Sequence, residues 1–236
     1  MVSWQEDQIQ ALLTVESDAS FFSALSGIAI KLGFDYCAYG MRMPLPLSQP
    51  KLIMLNNYSD AWKKRYLEQN YLATDPTVAH GMRSTLPLTW TDEIDSKSLP
   101  FWEDARAHGL GVGWAQSCHD KRGIGGMLSL SRSDDQLSIK ELEHITSQIS
   151  WLVQTAHEGL SRLVVPRLMP EATANLTTRE IEVLRWTADG KTSSEVGQIM
   201  NISERTVNFH VTNTLLKLGA ANKTGAAIKA AILGLL

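Results

Sequence analysis

The stretch "LTTREIEVLRWTADGKTSSEVGQIMNISERTVNFHVTNTLLKLG", Leu176 to Gly219, leaves few folds open, because nearly every helix end in it is spelled out. Thr177 with Glu180, and Thr192 with Glu195, have capping-box spacing, in which a hydroxyl and a carboxylate satisfy the free amides of a helix start. Gly190 and Gly219 stand where a left-handed residue ends a helix, and Ser203 can cap the last one. Ile181, Val183, Leu184 and Trp186 form one apolar face, while Val207, Val211, Leu215 and Leu218 recur at helical spacing. A helix, a short helix, the three-residue turn "NIS" and a longer helix make a helix-turn-helix, whose second helix enters the major groove of DNA.

Arg205, Asn208, Phe209 and Thr212 face outward from the buried stripe, and Asn208 and Thr212 suit hydrogen bonding to base edges. Thr192, Ser203 and Thr206 sit at helix starts, where hydroxyls and free amides suit phosphates. Lys191, Lys217 and Lys223 are further phosphate candidates. Bulk charge contributes little. The chain carries a formal charge of -3, with seven Lys or Arg against six Asp or Glu from Glu171 onward and fifteen against nineteen before it. So near neutral a segment binds DNA weakly as one copy, and two copies on a pseudo-palindromic site double the contacts.

The preceding residues mix helix and strand. Helices are expected from roughly Trp4 to Val15 and from Ser20 to Leu32, the second closing at Gly33. "DYCAYGMRM" alternates Tyr36, Ala38, Gly40 and Arg42 on one face with Cys37, Tyr39 and Met41 on the other, and "KLIMLN" is a second strand. "SLPFWEDARAHG" has helix punctuation at Ser98, Pro100 and Gly109. "VGWAQSCH" and "GGMLSLSRS" read as strands joined by a Lys-Arg-Gly turn. From Ser138 an amphipathic helix of about 25 residues carries Ile139, Leu142, Ile145, Ile149, Leu152, Val153 and Ala156 on one stripe, for a partner or for the sheet. "VVPRLMPEATAN" has two prolines and no periodicity, as a linker does. The expected domains are residues 1–165 and 176–236, with 166–175 between.

Hydrophobic residues make up 44% of the chain and charged ones 20%, which is foldable material. Cys37 and Cys118 lack metal-ligand or disulfide spacing, so neither a zinc site nor a disulfide framework is expected. With no export signal and no run of eighteen apolar residues, a cytoplasmic protein off the membrane is expected.

"YSDAWKKRYLEQNYLATDP" sets Tyr58, Trp62 and Tyr66 four residues apart before Asp75-Pro76. A core-facing helix stripe explains the spacing, and Asp before Pro is an ordinary helix start. The combination asks for more, because two hydroxyls and an indole N–H brought indoors each need a partner or cost about 1–3 kcal/mol. A polar ligand can supply those partners.

Two resemblances sharpen this. The C-terminal segment closely resembles, along its whole length, the four-helix DNA-binding domain of the LuxR/GerE family, with Glu180, Leu184, Gly190, Val207 and Lys217 at its most characteristic positions. From about Phe21 to Leu160, the pattern Y-x3-W-x3-Y, then "DP", Trp90 and "GVGW" at Gly111 to Trp114, is similar to the acyl-homoserine-lactone-binding domain of LuxR-type quorum-sensing receptors, nearest the subgroup containing the orphan quorum-sensing control repressor. The resemblance implies an α+β architecture: an N-terminal α/β/α sandwich around an antiparallel sheet, and an all-α helix-turn-helix domain. It implies that Trp62 donates to the lactone carbonyl, Tyr58 to the acyl carbonyl, and that Asp75 accepts from the ligand amide. Tyr66 and Trp90 would wall the ring, and Ser129 would reach the acyl carbonyl or a 3-substituent. Ala38, Gly40 and Arg42 would line the tail wall, with Met54 and Met127 as adaptable neighbours. Implied partners are an N-acyl-homoserine lactone, double-stranded promoter DNA, a second copy of the chain and RNA polymerase, with no cofactor, metal or membrane.

Two alternatives compete. Cys118, His119, Asp104 and His108 could be imagined as a nucleophile set, but adjacent residues of a strand point to opposite faces. A regulator of the same architecture could instead answer a different small molecule, or none.

Overall fold

The computed structural model describes residues 12–90, 98–133 and 136–236. The expected helix from Trp4 to Val15 lies outside them up to residue 11, and residues 12–14 are helical. Two compact units divide the chain: one takes in residues up to Arg42, Leu52–His119 and Gly125–Leu163, the other Met43–Lys51, Asp120–Ile124 and Val164–Leu236.

The first unit is built on five antiparallel strands in the order β2-β1-β5-β4-β3. These are β1 (Tyr36–Arg42), β2 (Leu52–Asn56), β3 (Leu88–Trp90), β4 (Val112–His119) and β5 (Gly125–Arg132). Alternation fixes which side chains share a face. One face carries Ala38 opposite Asn56 and Ser129, and Gly40 opposite Met54 and Met127. The other carries Cys37, Tyr39, Leu128, Leu130, Trp114 and Cys118, all buried.

That second face is covered by α1 (Asp18–Lys31) and by the long α5 (Ile139–Leu168). Ser17 caps α1, accepting from the Ser20 amide, and Gly33 follows its end at φ 88°. Phe21 of α1 meets Tyr39 edge-on at 6.4 Å. From α5, His157 Nδ1 lies 3.0 Å from Tyr39 Oη, and Ser150 donates to Gln116 at 3.0 Å. Ile149, Leu152, Val153, Ala156 and Leu160 are at most 1% exposed. From Ile145 onward the stripe offered as a partner surface is therefore buried within the unit, while Ile139 at its start is 76% exposed.

The first face is roofed by α2 (Asp60–Glu68), α3 (Pro76–Gly81) and α4 (Leu99–Ala107). Ser59 caps α2 and Asp75 caps α3, with Pro76 at the first helical position as expected.

Residues 166–175 depart from the linker expectation. α5 runs through Pro166 to Leu168, and a 3-10 turn spans Pro170–Thr173. Proline costs a helix one backbone bond. Burial of Val164, Val165 and Met169, none above 1% exposed, holds the last turn regardless.

The helices of the second unit are α6 (Thr178–Ala188), α7 (Ser193–Met200), α8 (Glu204–Leu218) and α9 (Lys223–Ile232). Both capping boxes close, at Thr177 with Glu180 and Thr192 with Glu195. Val183, Val196, Val207 and Val211 form the small core, flanked by Trp186, Met200, Ile202 and Leu215. The fold is α+β with an α/β/α ligand unit and an all-α helix-turn-helix unit. Among the described residues no helix is long and apolar enough to cross a membrane.

Candidate functional site

Between the sheet and the α2–α3–α4 roof lies a cavity of about 300 Å³. Tyr58, Trp62, Tyr66, Asp75, Trp90, Ser129, Ala38 and Gly40 all line it. Arg42 does not: it ends β1, one strand repeat past the cavity floor, and is exposed. Tyr58 reaches the cavity by another route than the helix face assumed for it, because α2 begins only after the Ser59 cap. The chain leaving β2 delivers it instead.

The polar groups gather at one end. Asp75, 8% exposed, uses both carboxylate oxygens: Oδ1 accepts from the Thr77 amide at 2.8 Å and its hydroxyl at 2.7 Å, and Oδ2 accepts from the Tyr66 hydroxyl at 2.9 Å. Burial pushes its pKa up, against the downward pull of the Thr77 and Tyr66 hydrogen bonds. Burial likewise pushes the Tyr58 and Tyr66 phenols up, with the Asp75 charge adding to both. Both hydroxyls stay protonated donors. The Trp90 indole N–H is buried without an acceptor among the described residues. Tyr58, Trp62 and Ser129 line the same cavity, bringing two further hydroxyls and a second indole N–H to it. Four groups with protons to donate thus share one cavity with a single carboxylate.

Aromatic packing fixes these groups. Trp62 stacks on Tyr71 at 5.8 Å and meets Tyr66 and Phe101 edge-on. Trp90 packs against Trp102 at 5.4 Å and lies over Gly113, its partner across β3 and β4. A Cβ at Gly113 would sit 2.2 Å from the indole, so the glycine of "GVGW" is what lets Trp90 reach the cavity. Asp104 ties the roof together, accepting from Arg65 at 2.6 Å and from the Tyr71 hydroxyl.

The other end is apolar. Gly40, Met54 and Met127 line it on the sheet side, one strand repeat of about 7 Å beyond Ala38. Sequence reasoning missed the contribution of α4, where Phe101, Trp102 and Ala105 join Leu110 in the wall. Their clustered apolar spacing around the helix punctuation was the available signal.

The second candidate surface is α8. It follows α7 through Asn201, left-handed at φ 54°, and the Ile202 amide donates back to Gly197 at 2.9 Å. Arg205, Asn208, Phe209 and Thr212 are exposed along α8, Phe209 by 61%. Ser203 and Thr206 sit at its start, their hydroxyls 2.8 Å apart. Three of the expected contact residues also bond within the unit: Lys217 donates to Glu180 at 2.7 Å, Thr192 to Glu195 at 2.7 Å, and Thr212 to the Asn208 carbonyl at 2.9 Å. Lys223 opens α9.

Comparison with known proteins gives a family match to each part of the chain. Residues 17–160 match the family described as "Autoinducer binding domain", and residues 174–230 match "Bacterial regulatory proteins, luxR family". The chain is 50% identical to the transcriptional activator protein AnoR of Acinetobacter nosocomialis, over 100% of both chains. The crystal structure of Escherichia coli SdiA superposes with a TM-score of 0.83 at 35% identity, covering 99% of this chain and 98% of that one. SdiA in complex with octanoyl-rac-glycerol gives 0.80 at 34% identity, covering 99% and 95%.

Proposed function

Because this chain belongs to the LuxR family and is a ligand-binding, quorum-sensing type of transcription factor, we propose that its ligand is an N-acyl-homoserine lactone and that a homodimer reads palindromic promoter DNA. The observation that carries the ligand assignment is the lining of the cavity, which combines hydroxyl and indole donors and one buried carboxylate with an otherwise largely apolar wall. Such a lactone offers two carbonyl acceptors, one amide donor and an apolar tail. Trp62 donates to the ring carbonyl, Tyr58 and Ser129 serve the acyl carbonyl, and Asp75 Oδ2 accepts the amide N–H beside Tyr66. Tyr66 and Trp90 wall the ring.

The reading predicts that such lactones raise the melting temperature of the full chain. At a hundredfold excess over Kd, binding to the native state alone adds about 2.7 kcal/mol. A thermal-shift series over acyl lengths checks it, and a folded protein that no lactone stabilises sinks the assignment. A second reading, an acylglycerol, is favoured by the octanoyl-rac-glycerol complex of SdiA, since an ester carbonyl and hydroxyls also suit this donor set.

On the DNA side, Arg205, Asn208, Phe209 and Thr212 read base edges from α8, while Ser203, Thr206, Lys191 and Lys223 hold phosphates. Asn208→Ala is expected to cost about 1–3 kcal/mol of discrimination at one base pair. Competition binding with mutated operators measures that, and an equal loss of lactone binding would indicate misfolding instead. The weak positive charge of this region supports two copies per site. The protein acts in the cytoplasm, contacts RNA polymerase and works by binding. Cys118 and His119 lie on opposite faces of β4, one buried and one exposed, which does not suit a nucleophile and its base.

A further inference from the structure

We propose that Gly40 sets the longest acyl chain the cavity accepts; this rests on reading the ligand as an acyl compound. Gly40 lies within β1, paired with Met54 on one side and Met127 on the other, and lines the apolar end. A Cβ built on it meets no atom within 4 Å.

Two other strand glycines, Gly113 and Gly126, differ. A Cβ at Gly113 would fall 2.2 Å from Trp90, and one at Gly126 2.2 Å from the Tyr39 hydroxyl, so neighbours enforce those two. No neighbour enforces Gly40, and its φ is not in the left-handed region. Glycine also weakens a strand interior, where a side chain would otherwise pack. Neither backbone nor packing explains it. What its missing side chain leaves is room in the cavity, and any substituent there projects into the tail space.

The surroundings place that room past the polar end. β1 leads from Ala38, beside Ser129, to Gly40, and α3 leads from the Asp75 cap through Val78 to Gly81. Met127 Sδ rests 3.0 Å from where a Gly81 Cβ would be, so the thioether closes the floor against the end of α3. Met54, 42% exposed, stands at the rim. A methionine on each side lets the wall adjust to chains of different length, while position 40 sets the limit.

The test measures the affinity of the full chain for saturated N-acyl-homoserine lactones from butanoyl to tetradecanoyl, and for the matching monoacylglycerols. Gly40→Val is expected to leave butanoyl binding within about twofold and to weaken the longest chain that wild type accepts by about tenfold or more, each methylene denied burial being worth about fourfold. Gly40→Ala should give the same graded pattern with smaller factors, which keeps the test open if valine overpacks the strand. The same factor at every length, or no change at any length, overturns the proposal. If wild type binds acylglycerols and no lactone, the head-group reading fails while the acylglycerol series still decides the role of Gly40. Binding of neither series by wild type overturns both.

Discussion

Asp75→Asn is expected to remove most lactone binding from a ligand unit that stays folded. Asparagine caps a helix as well as aspartate does, so its carbonyl keeps the Thr77 contacts that Oδ1 makes. The other atom becomes an NH2 donor: the Tyr66 hydroxyl can turn to accept from it, but the ligand amide N–H, a donor only, loses its acceptor. Replacing a charge-assisted bond by a clash of donors in a buried site should weaken binding by about 30-fold or more, roughly 2 kcal/mol. Asp75→Ala would lose the cap as well, at a further cost of about 1 kcal/mol in stability. Titration calorimetry beside thermal melts separates the two, and an asparagine variant that binds like wild type would restrict Asp75 to its cap. Acidity supplies an independent signature. Burial raises the Asp75 pKa, so the unliganded fold gains stability from this group at low pH and loses it as pH rises through the raised value. Ligand binding requires the carboxylate and runs the opposite way: affinity should fall on acidification, starting above the usual aspartate range of about 3.9, and the asparagine variant should not show that fall.

Lys217→Met is expected to destabilise the DNA-binding unit by about 2 kcal/mol, less than the roughly 3–5 kcal/mol of breaking a fully buried ion pair, because the lysine is partly exposed. Glu180 is 3% exposed and would keep the Thr177 amide at 2.7 Å while losing the ammonium. The double variant Glu180→Met with Lys217→Met should recover much of the loss, since two apolar groups of similar size leave no stranded charge. Burial alone would raise the Glu180 pKa, but Lys217 and Thr177 overcome it and hold the carboxyl low. The stabilisation is therefore present above the ordinary glutamate pKa of about 4.3 and lost as pH falls through the depressed one. Chemical denaturation of wild type and variant across that window measures it. A variant of unchanged stability whose DNA affinity drops for all sequences, with a salt slope smaller by about one, would return Lys217 to the phosphates.

Those two residues mark where sequence was legible. Caps were readable because their signals are local: Thr177, Thr192, Ser203 and Asp75 each satisfy amides within three residues, and all four close as spaced. The face of β1 was readable because strand alternation has period two, which put Ala38 and Gly40 together. Arg42 shares that period yet lies beyond the cavity, since alternation gives the face and not how far a pocket extends along it. Lys217 spoke of phosphate because its partner is 37 residues away in sequence. Tyr58 fitted a helix by spacing, yet the Ser59 cap starts the helix after it, and it lines the cavity all the same. Phe101 and Trp102 stayed hidden because only tertiary packing brings α4 over the sheet.

The two cysteines take on a use from where they sit. Cys37 and Cys118 are at most 1% exposed and lie on the sheet face away from the cavity, and burial pushes the Cys37 thiol up to about 12. A thiol so protonated and enclosed reacts with neither oxidants nor alkylating reagents until the sheet opens. The ligand unit thus carries its own unfolding clock, since alkylation rates with and without a bound molecule report how often the sheet opens, without any label competing for the pocket.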